Sequence, residues 1–241
     1  MKAFFKYHFT TVLVIASLTA LAQDPNEKGN LPNYYYQHLH FGFSLGINRA
    51  NFLITPAEHF ERLDSLKGVT SAPKPGFNLG IVSELMLHKY LTLRFVPSLS
   101  FSERVLDFYF EGKKDTIVKQ KAIESAFLNF PLDLKLRSKR VKNFSAYILA
   151  GGGYNLDLAS KRKVSNEGIA LNDQIIKLKR DDFSYEGGVG AEFYLQYFKF
   201  AIEAKVTMGT INLLVRDNTI FANSIDKLKS KVFTISLTFE G

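Results

Sequence analysis

From Leu39 to Asn48 the chain reads LHFGFSLGIN, with Leu39, Phe41, Phe43, Leu45 and Ile47 alternating against His40, Gly42, Ser44, Gly46 and Asn48. Alternation at period two puts the two sets of side chains on opposite faces of a β-strand. Beyond the N-terminal leader, no uninterrupted apolar run approaches the ~20 residues that a membrane-spanning helix needs. If such a chain enters a bilayer it enters as a closed sheet, because only helices and closed barrels satisfy their backbone hydrogen bonds in lipid.

The pattern recurs along the whole chain. A second strand, about 76–87, opposes Phe77, Leu79, Ile81, Leu85 and Leu87 to Asn78, Gly80 and Glu84, and a third opposes Leu91, Leu93, Phe95, Leu99 and Phe101 to Thr92, Arg94, Ser98, Ser100 and Ser102. A Gly-containing turn, EGKKD at 111–115, leads to a fourth strand with Leu128, Phe130, Leu132, Leu134 and Leu136 against Ser125, Asn129, Asp133 and Lys135. Pro131 lacks a ladder donor and predicts a bulge or distortion there. Further strands are expected at about 144–159, 182–195 and 198–213, and at the end of the chain, where Phe233, Ile235, Leu237 and Phe239 alternate with Thr234, Ser236 and Thr238. Turns near 88–90, 137–143 and 196–197 are mostly short, whereas the connections at 49–75, 160–181 and 214–228 are long. Short turns at one end and long loops at the other are the habit of outer-membrane barrels. The expected fold is therefore all-β: an eight-stranded antiparallel transmembrane outer-membrane β-barrel, an up-and-down meander with both termini periplasmic.

Which face is wet follows from charge. One face is nearly continuous in large apolar residues; the other carries Glu84, Arg94, Asp133, Lys135, Glu186, Glu192, Lys199, Glu203 and Lys205. In a soluble barrel the apolar face would turn inward and the charges outward. In a membrane barrel the faces reverse, and charges of both signs pair or bind water in the lumen. The reversed arrangement is expected here, with Phe41 and Phe43 toward lipid and Ser44 and Asn48 toward the interior. Inward glycines such as Gly42, Gly151 and Gly190 either leave a cavity or make room for long neighbours. Tyr34-Tyr35-Tyr36, Tyr90, Tyr194 and Tyr197 are candidates for the inner interfacial girdle.

The leader MKAFFKYHFTTVLVIASLTALAQ reads as a secretory signal over residues 1–22, with Lys2 and Lys6 before the apolar run and Ala20-Leu21-Ala22 as the cleavage site. Residues 23–37 form a polar lead expected to be flexible and periplasmic, and 38–241 the barrel. Without Lys2 and Lys6 the formal charge falls from +8 to +6, and no zinc-finger, RNP-like or phosphate-loop spacing points to nucleic acid. The chain has no cysteine, which excludes disulfides and thiol chemistry.

Candidate working surfaces lie at both ends. In the first long loop Thr55, Pro56 and Glu58 predict the start of a short helix over 56–66, with Phe60 and Leu63 on one side. Basic clusters in the third outer loop, Lys161, Arg162 and Lys163 and then Lys177, Lys179 and Arg180, are candidate lipopolysaccharide contacts. The turn bearing Arg137, Lys139, Arg140 and Lys142 is a candidate contact for a partner protein. Only His40 among the barrel histidines points inward, and nothing places a nucleophile beside it or spaces ligands for a metal. No enzyme, metal or cofactor is expected.

The segments YYYQHLHFGFSLGINRANF, KPGFNLGI, FLNFPLDLK and AYILAGGGYNLDL, together with the leader, resemble the PorT family over the whole of 23–241. These are small outer-membrane barrels of Bacteroidetes associated with type IX secretion and, in gliding species, with motility. The resemblance implies a non-catalytic component or adaptor of a protein-export machine, with other type IX secretion or outer-membrane proteins as partners. The alternative is a general small porin-like barrel with a structural, ligand-binding or narrow-channel role.

Overall fold

The computed structural model describes residues 29–58, 66–112, 115–160, 162, 164, 166–170 and 173–241. The expected signal peptide and the start of the lead fall in 1–28, outside the described residues. Nine strands follow a 3-10 turn at Tyr34–Tyr36: β1 (Leu39–Pro56), β2 (Leu66–His88), β3 (Leu91–Phe95), β4 (Ser98–Glu111), β5 (Thr116–Arg137), β6 (Phe144–Asp157), β7 (Asp181–Tyr194), β8 (Lys199–Gly209) and β9 (Ile225–Glu240). Every pairing is antiparallel, and β1 pairs with both β2 and β9, which closes the sheet. β3 and β4 lie end to end between β2 and β5 as one strand interrupted at Val96-Pro97, so the ring has eight staves. Among the described residues no helix is long and apolar enough to cross a membrane.

The distortion expected at Pro131 is present on one side of β5 and absent on the other. β5 runs through this proline in unbroken register with β6, Pro131 opposite Gly153. On its other side the ladder is interrupted. Pairing across β5 skips from Phe95–Leu132 to Ser98–Asn129, leaving Val96-Pro97 unpaired opposite Phe130-Pro131. Pro97 and Pro131, diagonal to each other across the gap, each lack a ladder donor.

The apolar face points outward. Phe41, Phe43 and Ile47 are 58, 52 and 65% exposed, whereas His40, Ser44 and Asn48 are at most 5% exposed. A continuous belt of exposed large apolar residues on every stave is rare on a soluble monomer, and its natural solvent is hydrocarbon.

Several strands run past the belt, and there the polarity of the two faces reverses. On β9 the outward series Phe239, Leu237, Ile235 and Phe233 gives way to Lys231, Lys229 and Lys227, while the inward series passes from Glu240, Thr238, Ser236 and Thr234 to Val232, Ser230 and Leu228. β1 changes in the same way, with Arg49 and Asn51 outward and Ala50 and Phe52 buried. β4 has Glu103 and Asp107 on the outward parity and Leu106, Phe108 and Phe110 buried. The far end is thus built like a water-soluble protein. Phe52, Leu66, Leu106, Phe108, Ile176, Leu178, Leu213, Leu214, Phe221, Ile225 and Leu228 pack there as a dry cap. A short helix, Ile220–Asn223, closes it, capped by Thr219 whose Oγ1 accepts from Ala222 N at 3.2 Å.

This reversal accounts for the misplaced boundaries. The stretch 49–75 is not one long loop, because β1 extends to Pro56 and β2 begins at Leu66. Thr55 and Pro56 end a strand rather than start a helix, and the rest of the predicted helix, 59–65, lies outside the described residues. β8 stops at Gly209 and β9 starts at Ile225, so the last loop is shifted toward the N-terminus relative to expectation.

Candidate functional site

Three layers fill the barrel along its axis. At the end carrying the termini lies a floor of interlocked charges and rings. Lys199, wholly buried on β8, reaches Glu84 on β2 at 2.9 Å, Glu192 on β7 at 3.1 Å and Glu240 on β9 at 2.7 Å. Lys135 on β5 bonds Glu84 at 2.6 Å and also pairs with Glu192. Arg94 on β3 sits 3.4 Å from Glu84 and pairs with Glu203 on β8, which also accepts from Tyr147 Oη at 2.7 Å. Lys205 holds Glu186 at 2.6 Å with Asp133 at 3.9 Å, and Thr207 donates to Glu186 at 3.0 Å. All nine charges assigned to the interior from sequence therefore lie in this lumen, drawn from β2, β3, β5, β7 and β8.

Sequence reasoning missed other members. Glu240 is 1% exposed, and Arg137 is 6% exposed with its guanidinium on Tyr194 Oη at 3.2 Å and Lys89 O at 2.7 Å. Arg137 is thus part of the floor, not of a free basic turn. Alternation alone would have found both, since Glu240 follows outward Phe239 and Arg137 follows outward Leu136. The same rule places Tyr194, which is fully buried and not in an interfacial girdle.

Residues 29–37 of the N-terminal lead pack against the floor and seal it. Tyr34 is 6% exposed; its ring stacks on His40 at 3.8 Å between centroids, meets Tyr194 edge-on at 5.7 Å and lies 5.0 Å from Lys199 Nζ. Arg140 fastens the lead from outside. Its guanidinium lies 3.8 Å over the Tyr194 ring and donates to the Asn30 and Leu31 carbonyls, and Asn143 Oδ1 accepts from Asn30 N at 2.7 Å. Of the basic turn, Lys139 is exposed and Lys142 half-buried. His40 Nε2 is 3.1 Å from Gln37 O.

Above the floor is a chamber of about 90 Å³ lined mainly by hydroxyls, amides and charges, among them Ser44, Asn78, Ser98, Ser100, Asn129, Asn155, Ser184 and Ser236. That is room for a few waters. Inward glycines serve their neighbours rather than enlarging it: a Cβ on Gly190 would collide with the Tyr147 ring, and one on Gly42 with Glu240. Arg104 marks the boundary with the apolar cap, donating to Ser125 Oγ at 2.7 Å with its guanidinium 4.2 Å from the Phe52 ring. Among the described residues no group of three His, Asp or Glu could hold a metal.

The outer-loop lysines are not one patch. Lys177 pairs with Asp217 at 2.9 Å, and Asn166 donates to the same carboxylate at 2.7 Å. The hydrogen bond from Lys177 holds Asp217 below the usual carboxylate range. Arg162, Lys179 and Arg180 are exposed, whereas Lys161 and Lys163 lie outside the described residues.

Comparison with solved structures gives low-identity likenesses. OprG from Pseudomonas aeruginosa is 15% identical at a TM-score of 0.43, covering 84% of this chain and 94% of its own. Ail of Yersinia pestis, in complex with the heparin analogue sucrose octasulfate, is 14% identical at 0.39, covering 85 and 100%. The outer membrane protease OmpT from Escherichia coli is 10% identical at 0.40, covering 90 and 98%. No curated protein matches the chain. A family model does: residues 21–215 match the outer membrane protein beta-barrel domain, and the chain belongs to that family of bacterial outer-membrane barrels.

Proposed function

We propose that this barrel works through its outer surfaces, as a non-catalytic component or adaptor of a type IX protein secretion machine and, where present, of gliding motility. The observation carrying this reading is the filled lumen. A floor of five cations and six carboxylates, sealed by Tyr34 and Tyr194, lies below a chamber of about 90 Å³ and a dry apolar cap. An eight-stranded barrel has room only for its side chains or one small ligand. With transport through the axis obstructed, what remains for function is the membrane wall, the rims and the ordered lead. The pathway itself comes from the resemblance to the PorT family. By the habit of short periplasmic turns and longer outer loops, the end carrying the termini faces the periplasm and the capped end the exterior.

The test is mild cross-linking in the native membrane, gentle detergent extraction and mass spectrometry of what co-purifies. Recovery with surface-export proteins at near-equal stoichiometry supports the adaptor; a partner-free barrel under the same conditions rules out a stable one. The porin-like reading draws on the polar chamber. It predicts unitary conductance in planar bilayers that changes when Arg94 or Glu203 is neutralised.

A further inference from the structure

The outward polarity reversal does not give the same charge all round the barrel. On the β9/β1 flank the first residues above the lipid belt are basic: Lys231 and Lys229 on β9 and Arg49 on β1, with Lys227 beyond them. Lys231 stands opposite Asn51, Lys229 opposite Leu53 and Lys227 opposite Thr55, while Arg49 stands opposite the belt residue Phe233. Among the described residues no acid stands between these side chains on this face. Lys227 has Asp226 at 4.0 Å, but among the described residues no ion pair engages Arg49, Lys229 or Lys231. On the β4/β5 flank the corresponding level is acidic, with Glu103 directly opposite Glu124 above Phe101 and Ala126. On β2 that level carries Pro75 and Pro73.

Lysines on one face of a strand sit about 7 Å apart, so the three span about 14 Å. Their apolar neighbours Phe233 and Ile235 are 42 and 40% exposed directly below. A ligand matching this surface has acyl chains against Ile235 and Phe233 and more than one phosphate at the height of Lys231 and Lys229. Geometry and charge point to the phosphorylated headgroup of an outer-leaflet glycolipid, and we infer that Arg49, Lys229 and Lys231 form a docking site for it on the β9/β1 flank. This moves the lipopolysaccharide contact from the loop, where Lys177 is already held by Asp217, to the barrel wall. The choice of glycolipid over phospholipid rests on the orientation given under Proposed function.

The test uses the full-length folded protein in detergent with lipid A as probe, read by native mass spectrometry. A basic residue at a lipid surface contributes about fivefold in affinity. The variant R49Q/K229Q/K231Q is therefore expected to bind about a hundredfold more weakly, K231Q alone about fivefold, and E103Q/E124Q as wild type. Lipid A stripped of phosphate should behave like the triple variant. Equal binding by K231Q and wild type, or displacement of lipid A by an equal concentration of phosphatidylglycerol, overturns the site. Orientation is read separately with a peptide tag inserted after Gly112 and probed on intact cells. A hidden tag overturns the orientation and the glycolipid source together; an exposed tag without lipid A binding overturns the site alone.

Discussion

Replacing Lys199 by methionine tests whether the floor is an electrostatic unit. Lys199 is the cation closest to Glu240, at 2.7 Å, and contributes to Glu84 and Glu192 at 2.9 and 3.1 Å. After the change Glu84 keeps Lys135 and Arg94, and Glu192 keeps Lys135 with Arg137 at 4.0 Å. Among the described residues Glu240 then keeps a side-chain hydrogen bond from Tyr34 Oη, at 3.4 Å, and no ion pair. Removing one partner of a buried pair costs about 3–5 kcal/mol, because the carboxylate left behind is neither solvated nor neutralised. That is more than about a hundredfold in the ratio of folded to unfolded barrel. Equilibrium urea unfolding in lipid vesicles measures it, with heat-modifiable gel mobility as a quicker check. The sharper test is the double variant K199M/E240Q. If most of the loss comes from stranding Glu240, removing its charge should recover about 1–3 kcal/mol. A single variant that loses less than about 1 kcal/mol, or a double variant as unstable as the sum of its parts, would refute the argument.

Three further outcomes follow from other layers. Arg140→Ala should release residues 29–31 to hydrogen exchange and protease while leaving the barrel's unfolding midpoint nearly unchanged, because Arg140 holds the Asn30 and Leu31 carbonyls whereas Tyr34 stays seated on His40 and Tyr194. Ile235→Arg places a charge inside the belt and should cost about 2–4 kcal/mol in vesicle unfolding, whereas Asn51→Arg, beside Lys231 above the belt, should cost under about 1. Equal costs would mean the belt edge is misplaced. Asp217, with its carboxyl lowered by the bond from Lys177, stabilises the loop pairing above its unfolded value, and that contribution is lost as pH falls through the lowered one. The protection of the 173–180 backbone, measured as exchange relative to the intrinsic rate at each pH, should therefore fall on acidification in wild type and be lower and flatter with pH in Asp217→Asn.

The strand count, the antiparallel order and the wet face were legible because the belt imposes one rule on every stave: odd or even positions apolar, the others polar. Leu39 to Ile47 and Phe233 to Phe239 state it without exception. Where the belt ends, the alternation continues with opposite sign, and a reading tuned to apolar-outward strands takes the change of sign for the end of the strand. Ala50 and Phe52 against Arg49 and Asn51, or Leu228 against Lys227 and Lys229, are as regular as the belt itself. Such stretches read as long connections because their apolar members fall on the side the belt reserves for charge.

The lead was hidden for a different reason. Tyr34 is held by nearby His40 and by Tyr194 and Glu240 from distant strands, and no local periodicity announces such a seat. What the sequence does contain is the complement that makes the seat necessary. The floor gathers Arg94, Lys135, Arg137, Lys199 and Lys205 against Glu84, Asp133, Glu186, Glu192, Glu203 and Glu240, an arrangement whose strength depends on excluding water. Exposing the terminal end to bulk solvent would weaken those pairs, and a tyrosine that covers Lys199 and Glu240 prevents it. The ordered lead is therefore part of the barrel's electrostatics. A partner that pulled residues 29–37 away would hydrate the floor and loosen the staves it ties together, so lead and barrel should be displaced or protected as one unit.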